Sequence, residues 1–220
     1  MNSISITGKM HPGFDNILTE EAQEFILKLH QKFSSTRKSL LEKRAEIHSK
    51  ILSGEMPRFL KETESVRNGD WQADPVPEDL QDRRCEITGP AEAKMMINAM
   101  NSGATIFMAD LEDSITPNWF NQIQGQQNLI DAYERTLEFT SPEGKEYRLN
   151  NEGLATLILR PRGWHLDEKH ILIDGEAACG ALVDAGLYLF HNIKRTLEKG
   201  TGPYFYLPKL ENHLEARLWD

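Results

Sequence analysis

Residues 104–113 read Ala104-Thr105-Ile106-Phe107-Met108-Ala109-Asp110-Leu111-Glu112-Asp113. The apolar run has the length of a strand and stops abruptly at the acids. A run that is apolar on both faces is typical of a strand in a parallel sheet, because helices cover both faces of such a sheet. We therefore predict a buried parallel strand over 104–109, with Asp110 and Glu112 at its carboxyl end.

The same pattern occurs twice more along the chain. Residues 154–159 form an apolar run that ends in Arg160-Pro161-Arg162-Gly163, and residues 204–207 form one that ends in Pro208-Lys209. Predicted helices separate the three runs, and strands that alternate with helices indicate an α/β fold with a parallel sheet.

The segments between and before these runs have weaker patterns. Helices are predicted over about 126–138 and 182–199, and turn residues at 140–144 predict a small hairpin that returns over 145–149. Another helix is predicted to begin with Pro90 as its first residue and to end just before Gly103.

The first ninety residues have mostly helical patterns. Apolar residues recur at steps of three and four over 17–33, with Thr19 as the N-cap, and a second helix is predicted over 37–52. Residues 70–82 contain two prolines and five acids, which favour a linker or an extended arm. We therefore predict an N-terminal helical domain with its linker over 1–83, and the sheet-forming part over 84–220.

Composition excludes several classes of protein. The 220 residues contain 25 Lys and Arg against 34 Asp and Glu, a formal net charge of -9, and no basic run, which argues against a nucleic-acid or anionic-membrane partner. No apolar run approaches the about 18 residues of a membrane span. Without the features of a signal peptide at 1–15, we expect a cytoplasmic protein whose Cys85 and Cys179 are reduced and mostly buried.

Charged residues follow all three predicted strands. Because ligands of parallel α/β folds gather at the carboxyl ends of the strands, these side chains are expected on one face. They are Asp110, Glu112, Asp113, Arg160, Arg162, Lys209 and Glu211. The seven histidines form no HxH or HExxH pattern, so a zinc site is not expected.

Four segments resemble malate synthases of the A type, and the resemblance extends over essentially the whole chain. They are residues 82–90, 107–114, 159–170 and 200–209. Barrels similar to citrate lyase also carry a motif like that at 110–114, so an acyl-CoA lyase stays an alternative. A third alternative is a non-catalytic remnant that acts as an interaction module. Residues 160–165 and 202–209 favour the synthase.

The resemblance implies a fold and a reaction. The fold is an N-terminal helical domain followed by the first part of a (β/α)8 TIM-type barrel. The reaction is a Mg²⁺-dependent condensation of acetyl-CoA with glyoxylate, followed by hydrolysis to malate and CoA in the glyoxylate cycle.

The resemblance also implies roles for individual residues. Arg160 is the expected catalytic residue, which stabilises the enolate and contacts glyoxylate. Arg162 is a second candidate for substrate binding, although a salt bridge within its loop is favoured. Asp110 and Glu112 are expected near the metal, contacting it through water or supporting its ligands, and Asp113 is expected to cap the next turn.

Synthases of this type are more than twice as long as this chain. Their direct metal ligands and general base lie on later segments that have no counterpart here. We therefore expect that the chain is an N-terminal portion of such an enzyme, that direct Mg²⁺ ligands lie outside it, and that it is inactive by itself.

Overall fold

The computed structural model describes residues 3–220. Its helices are α1 Phe14–Ile17, α2 Glu20–Leu52, α3 Glu64–Arg67, α4 Ala93–Met100, α5 Trp119–Glu134, α6 Gly180–Glu198 and α7 His213–Trp219. Its strands are β1 Ile4–Ile6, β2 Glu86–Pro90, β3 Ile106–Asp110, β4 Glu138–Thr140, β5 Glu146–Arg148, β6 Thr156–Arg160, β7 Asp167–Ile173, β8 Glu176–Cys179 and β9 Tyr204–Phe205.

A parallel sheet of four strands forms the centre of the fold, in the order β2-β3-β6-β9. Helices α4, α5 and α6 connect successive strands, as expected for an α/β fold. Phe107 and Leu159 are fully buried against Leu129 of α5 and Tyr188 of α6. Full burial of each such side chain contributes about 1.5–3 kcal/mol. The three apolar runs predicted as strands are all confirmed.

The helix predicted to begin at Pro90 begins later, and Pro90 instead ends a strand that was not predicted. Glu86–Pro90 is strand β2, which pairs in parallel with β3, and α4 begins only at Ala93. Proline lacks the N–H that a ladder needs, but β2 is an edge strand of the described sheet and Pro90 is its last residue, so no interior ladder bond is lost.

The two helices predicted over 17–33 and 37–52 are one helix of 33 residues, α2. The prediction of Thr19 as N-cap is confirmed, because its Oγ1 accepts a hydrogen bond from the N–H of Ala22 at 3.2 Å. The polar residues 34–36 contain neither Gly nor Pro, so nothing in the backbone ends the helix there. Arg37 continues it and is held by the carbonyl of Trp164 at 2.5 Å.

A second, antiparallel sheet with the order β1-β7-β8 was missed. In the turn between β7 and β8, Asp174 has φ 52° and Gly175 has φ 85°. An Asp-Gly pair between apolar strands is a strong hairpin signal, so the sequence contained the evidence. Because β1 pairs with β7, residues of the proposed first domain are part of this sheet, and the division at 83/84 stays a prediction.

The smaller elements mostly agree with expectation. The hairpin of β4 and β5 is confirmed, and residues 70–82 contain no helix or strand apart from one 3₁₀ turn at Glu78–Leu80. Helix α5 begins earlier than predicted, because Asn118 caps it by accepting from the N–H of Asn121 at 2.9 Å.

The two cysteines differ in exposure. Cys179 is buried as predicted, and burial raises the pKa of its thiol, but Cys85 is exposed. Cys85 lies just before β2. Within residues 3–220, no helix is both long and apolar enough to cross a bilayer.

Candidate active site

The register of the parallel sheet brings opposite charges together at its carboxyl edge. Asp110, the last residue of β3, pairs with Arg160, the last residue of β6. The loops after β3 and β9 add Glu112, Asp113 and Lys209. These five residues form what we call the strand-end cluster, and the expectation that the three loops meet on one face is met.

Arg160 lies at the centre of the strand-end cluster. Its Nη2 donates to Oε2 of Glu112 at 2.7 Å and to Oδ2 of Asp113 at 2.5 Å, and its Nε donates to the same Glu112 oxygen at 3.1 Å. Its Nη1 lies 3.6 Å from Oδ2 of Asp110. Burial by itself would lower the pKa of this guanidinium, but Glu112 and the neighbouring acids raise it above its ordinary value. The charge is therefore permanent and fixed in position.

Asp110 organises the turn after β3. Its Oδ1 accepts from the N–H groups of Glu112 at 2.8 Å and Asp113 at 3.1 Å, while Oδ2 accepts from Ser114. The prediction that Asp113 caps this turn was wrong. An aspartate closes a turn through N–H groups that follow it, and here Asp110 precedes the turn and does so. Asp113 is instead 53% exposed and pairs with the two cations.

Glu112 joins two loops. While its Oε2 binds Arg160, its Oε1 accepts from the N–H of Gly163 in the loop after β6 at 3.1 Å. There is no room for a side chain at Gly163, because a Cβ there would lie 2.9 Å from Oε1 of Glu112 and 2.9 Å from the ring of His165. Gly163 therefore allows the close approach that fixes Glu112.

Replacing Gly163 by alanine is expected to destabilise the chain by about 1–3 kcal/mol, because the added methyl group must displace Glu112 or His165. The free energy of unfolding in urea measures this. Gly89→Ala is the control, since its Cβ would meet only Phe107 at 3.6 Å, an ordinary contact, and should change stability by less than about 1 kcal/mol. Equal effects of the two changes would contradict the packing argument.

Arg162 is buried beside the cluster and faces other acids. Its Nε donates to Oδ2 of Asp184 at 2.9 Å, its Nη2 to Oδ1 of Asp184 at 2.7 Å, and its Nη1 to Oε2 of Glu168 at 2.9 Å. Burial opposes its charge, but the two carboxylates raise its pKa. The sequence favoured a salt bridge for Arg162, which is observed, but its partners lie in α6 and β7 and not within the loop. Binding of substrate by Arg162 stays a proposal.

Lys209 belongs to the cluster although sequence reasoning gave it no role. Its Nζ donates to Oδ2 of Asp113 at 2.7 Å and lies 3.4 Å from Oε2 of Glu112. The hydrogen bond to Asp113 raises the pKa of the amine. Its φ of 53° is left-handed, which costs about 1 kcal/mol for a residue other than glycine. A basic residue directly after a strand was the only signal in the sequence.

Glu211, also expected on this face, pairs elsewhere. Its carboxylate lies 3.3 Å from Nη1 of Arg44 in α2, outside the strand-end cluster. Arg44 also donates to both oxygens of Glu215 at 2.7 Å. The helix α2 is thus attached to the segment that follows Lys209.

The acids of the cluster are suited to support a metal rather than to enclose one. Among residues 3–220, no group of three or more His, Cys, Asp or Glu side chains is arranged to hold an ion. Both oxygens of Asp110 and of Glu112 already accept hydrogen bonds from the protein. Mg²⁺ usually keeps several of its water molecules, so contact through water fits these residues better than direct ligation.

Comparison with known proteins gives two family matches. Residues 2–65 match the malate synthase N-terminal domain, and residues 156–220 match the malate synthase TIM barrel domain. These matches confirm the predicted order of an N-terminal domain followed by the first part of a TIM-type barrel.

Curated proteins are similar along the whole chain. A malate synthase of Myxococcus xanthus is 52% identical over 217 residues, which are 99% of this chain and 40% of that protein. One of Dictyostelium discoideum is 50% identical, covering 100% and 41%. A glyoxysomal malate synthase of Gossypium hirsutum is 47% identical, covering 99% and 39%. The chain thus spans about 40% of the length of these relatives.

Proposed function

Because the chain belongs to the malate synthase family, we propose that it supplies the first barrel strands of an enzyme that condenses acetyl-CoA with glyoxylate, giving malate and CoA. The observation that carries this proposal is Arg160, a permanently charged guanidinium held at the carboxyl edge of a parallel sheet by Glu112 at 2.7 Å. The names of the relatives favour this reaction over an acyl-CoA lyase or an interaction module.

Arg160 suits the charge that develops in this reaction. When the methyl group of acetyl-CoA loses a proton, negative charge develops on the thioester oxygen, and a fixed guanidinium stabilises it without having to reorganise. The same planar group can donate to the aldehyde oxygen of glyoxylate and polarise it for attack. Glu112 and Asp110 orient the guanidinium, and Asp113 occupies one donor until substrate arrives.

The family uses Mg²⁺, and Asp110 and Glu112 are the residues proposed to hold its water molecules. When bound, the ion would neutralise charge on glyoxylate and on the neighbouring acids. Arg162 contributes by holding its loop between Asp184 and Glu168, which keeps the N–H of Gly163 against Glu112.

We further propose that a polypeptide of these 220 residues alone does not turn over. The described sheet has four parallel strands, whereas a closed barrel of this kind has eight. The cytoplasmic location also stays a proposal, and the relative from Gossypium hirsutum is named glyoxysomal. Fractionation of cells that express the protein would decide between these compartments.

The activity is tested with a chimera in which this chain replaces the matching segment of the Myxococcus xanthus relative. We expect it to release free CoA from acetyl-CoA only when glyoxylate is present, and we expect none from the 220 residues alone. Thiol release is followed with a chromogenic disulfide. A folded chimera without turnover would contradict the proposed reaction, and turnover by the 220 residues alone would contradict their proposed inactivity.

A further inference from the structure

We propose that Lys209 is a second substrate-binding cation, which together with Arg160 takes the carboxylate of a small 2-oxo acid such as glyoxylate. This inference rests on the proposed function and deepens it by adding a residue to the substrate site. The carboxyl edge then has two cationic groups, one planar at the end of β6 and one compact in the loop after the neighbouring strand β9.

The two cations are neighbours because they share the same acids. Nζ of Lys209 lies 2.7 Å from Oδ2 of Asp113, and Nη2 of Arg160 lies 2.5 Å from that oxygen. Oε2 of Glu112 is also within reach of both, at 3.4 Å from Lys209 and 2.7 Å from Arg160. A carboxylate that replaced Asp113 would meet both cations at once.

The exposure of the Lys209 side chain also suits it to bind an incoming substrate. Its side chain is 44% exposed and that of Asp113 is 53% exposed, whereas only 14% of the Arg160 side chain is exposed. An ammonium group has three donors, and Asp113 and Glu112 use at most two of them. Lys209 can therefore reach an incoming anion while it keeps one protein contact.

The backbone of Lys209 is held more firmly than an exposed ion pair requires. Lys209 has a left-handed φ of 53°, and its carbonyl oxygen accepts a hydrogen bond from Nη2 of Arg44 at 2.9 Å. Arg44 in turn is fixed by both oxygens of the buried Glu215. Strained backbone that the surroundings enforce is concentrated at functional sites, while an exposed ion pair adds little stability.

The charges of the cluster indicate which group an anionic substrate would displace. Asp110, Glu112 and Asp113 are three acids opposite two bases, so an anion can contact both cations only after one of the acids has moved away. When a substrate carboxylate displaces Asp113 from the two cations, the number of charge-assisted hydrogen bonds is kept. Asp113 is the exposed member of the three acids and is the one that this exchange would move.

The test is a titration of the ¹⁵N-labelled chain with sodium glyoxylate at constant ionic strength, with the dissociation constant taken from amide shifts. We expect Lys209→Met to weaken binding about tenfold, and Lys209→Arg to restore most of it because the positive charge returns. The control is Lys194→Met on the exposed face of α6, which pairs with no carboxylate in the described part of the chain and should leave binding unchanged.

A purely structural lysine would give another pattern. If Lys209→Met and Lys209→Arg weakened binding equally, or if Lys209→Met bound as the parent chain does, the proposal would be overturned. Arg160→Lys in the same titration separates the two ideas, because weakening there with no effect at Lys209 leaves the proposed function standing. If the parent chain does not bind glyoxylate, the role of Lys209 is also overturned. The proposed reaction is tested independently, by the release of CoA from the chimera.

Discussion

Replacing Arg160 by lysine is expected to lower kcat of the chimera by about 10²–10³-fold, the usual loss when one preorganised donor to a developing oxyanion is removed. Lysine keeps the positive charge but presents one ammonium instead of a planar fork. Its single nitrogen cannot reproduce the fork in which Nε and Nη2 of Arg160 both bind Glu112, and this fork fixes the direction of the remaining donors. Steady-state rates of CoA release at saturating acetyl-CoA and glyoxylate measure the effect.

The folded state should survive this change. Arg160 keeps its place at the edge of the sheet through the backbone register with Asp110, which does not depend on the guanidinium. We therefore expect near-native circular dichroism for the Arg160→Lys chimera. Arg148→Lys is the control, because that side chain is 67% exposed in the β4–β5 hairpin and pairs only with surface acids. It should change kcat by less than about twofold.

The division between kcat and KM decides the interpretation. If Arg160 acts on the enolate, kcat falls, since the charge it stabilises exists only after the proton is lost. If Arg160 only binds glyoxylate in the ground state, KM for glyoxylate rises and kcat is unchanged. A fully active Arg160→Lys chimera would remove Arg160 from the proposed chemistry.

The site could be predicted largely from the sequence because topology, and not contact detail, brings its residues together. Once apolar runs were recognised as parallel strands, their carboxyl ends had to share one edge, which placed Asp110, Glu112 and Arg160 on the same face. The local chemistry did not follow from this. Whether Asp110 or Asp113 closes the turn depends on backbone N–H directions that spacing does not encode.

Two of the misses arise from non-local interactions. Pairing with β3 turns Glu86–Pro90 into a strand although Pro90 alone would suit a helix start, and β1 is a strand because β7 lies beside it. Lys209 was expected on this face but was given no role, and its left-handed backbone is held by Arg44, 165 residues away in sequence. No local pattern predicts such a partner.

Replacing Arg162 by methionine is expected to destabilise the chain by about 3–5 kcal/mol, the usual loss when one member of a buried ion pair is removed. Asp184 and Glu168 are both almost completely buried, and Arg162 supplies the cation between them. Methionine fills similar space but leaves two carboxylates without a counter-charge. The free energy of unfolding in urea at neutral pH measures the loss.

In this variant, the pH dependence of the contribution of Glu168 to stability should change sign. This distinguishes the loss of a counter-charge from the loss of packing. In the parent chain, burial favours the protonated form of Glu168, but Arg162 and His170 hold its pKa below the ordinary value of 4.5. This stabilising contribution of Glu168 is present above its pKa in the unfolded chain. It is lost as pH falls through its pKa in the folded chain. Without Arg162, burial raises the pKa of Glu168. The free-energy cost of its buried, uncompensated charge is then relieved when the carboxylate is protonated at lower pH.

We therefore expect the Arg162→Met chain to gain more stability than the parent chain as pH falls from neutral toward the unfolded pKa of Glu168, because Glu168 contributes no such gain in the parent. Arg148→Met is the control for removal of an arginine, and it should cost less than about 0.5 kcal/mol because its partners are exposed. A loss of similar size at both positions, or a variant whose stability falls with pH as the parent's does, would show that Arg162 is not the counter-charge that keeps this loop in place.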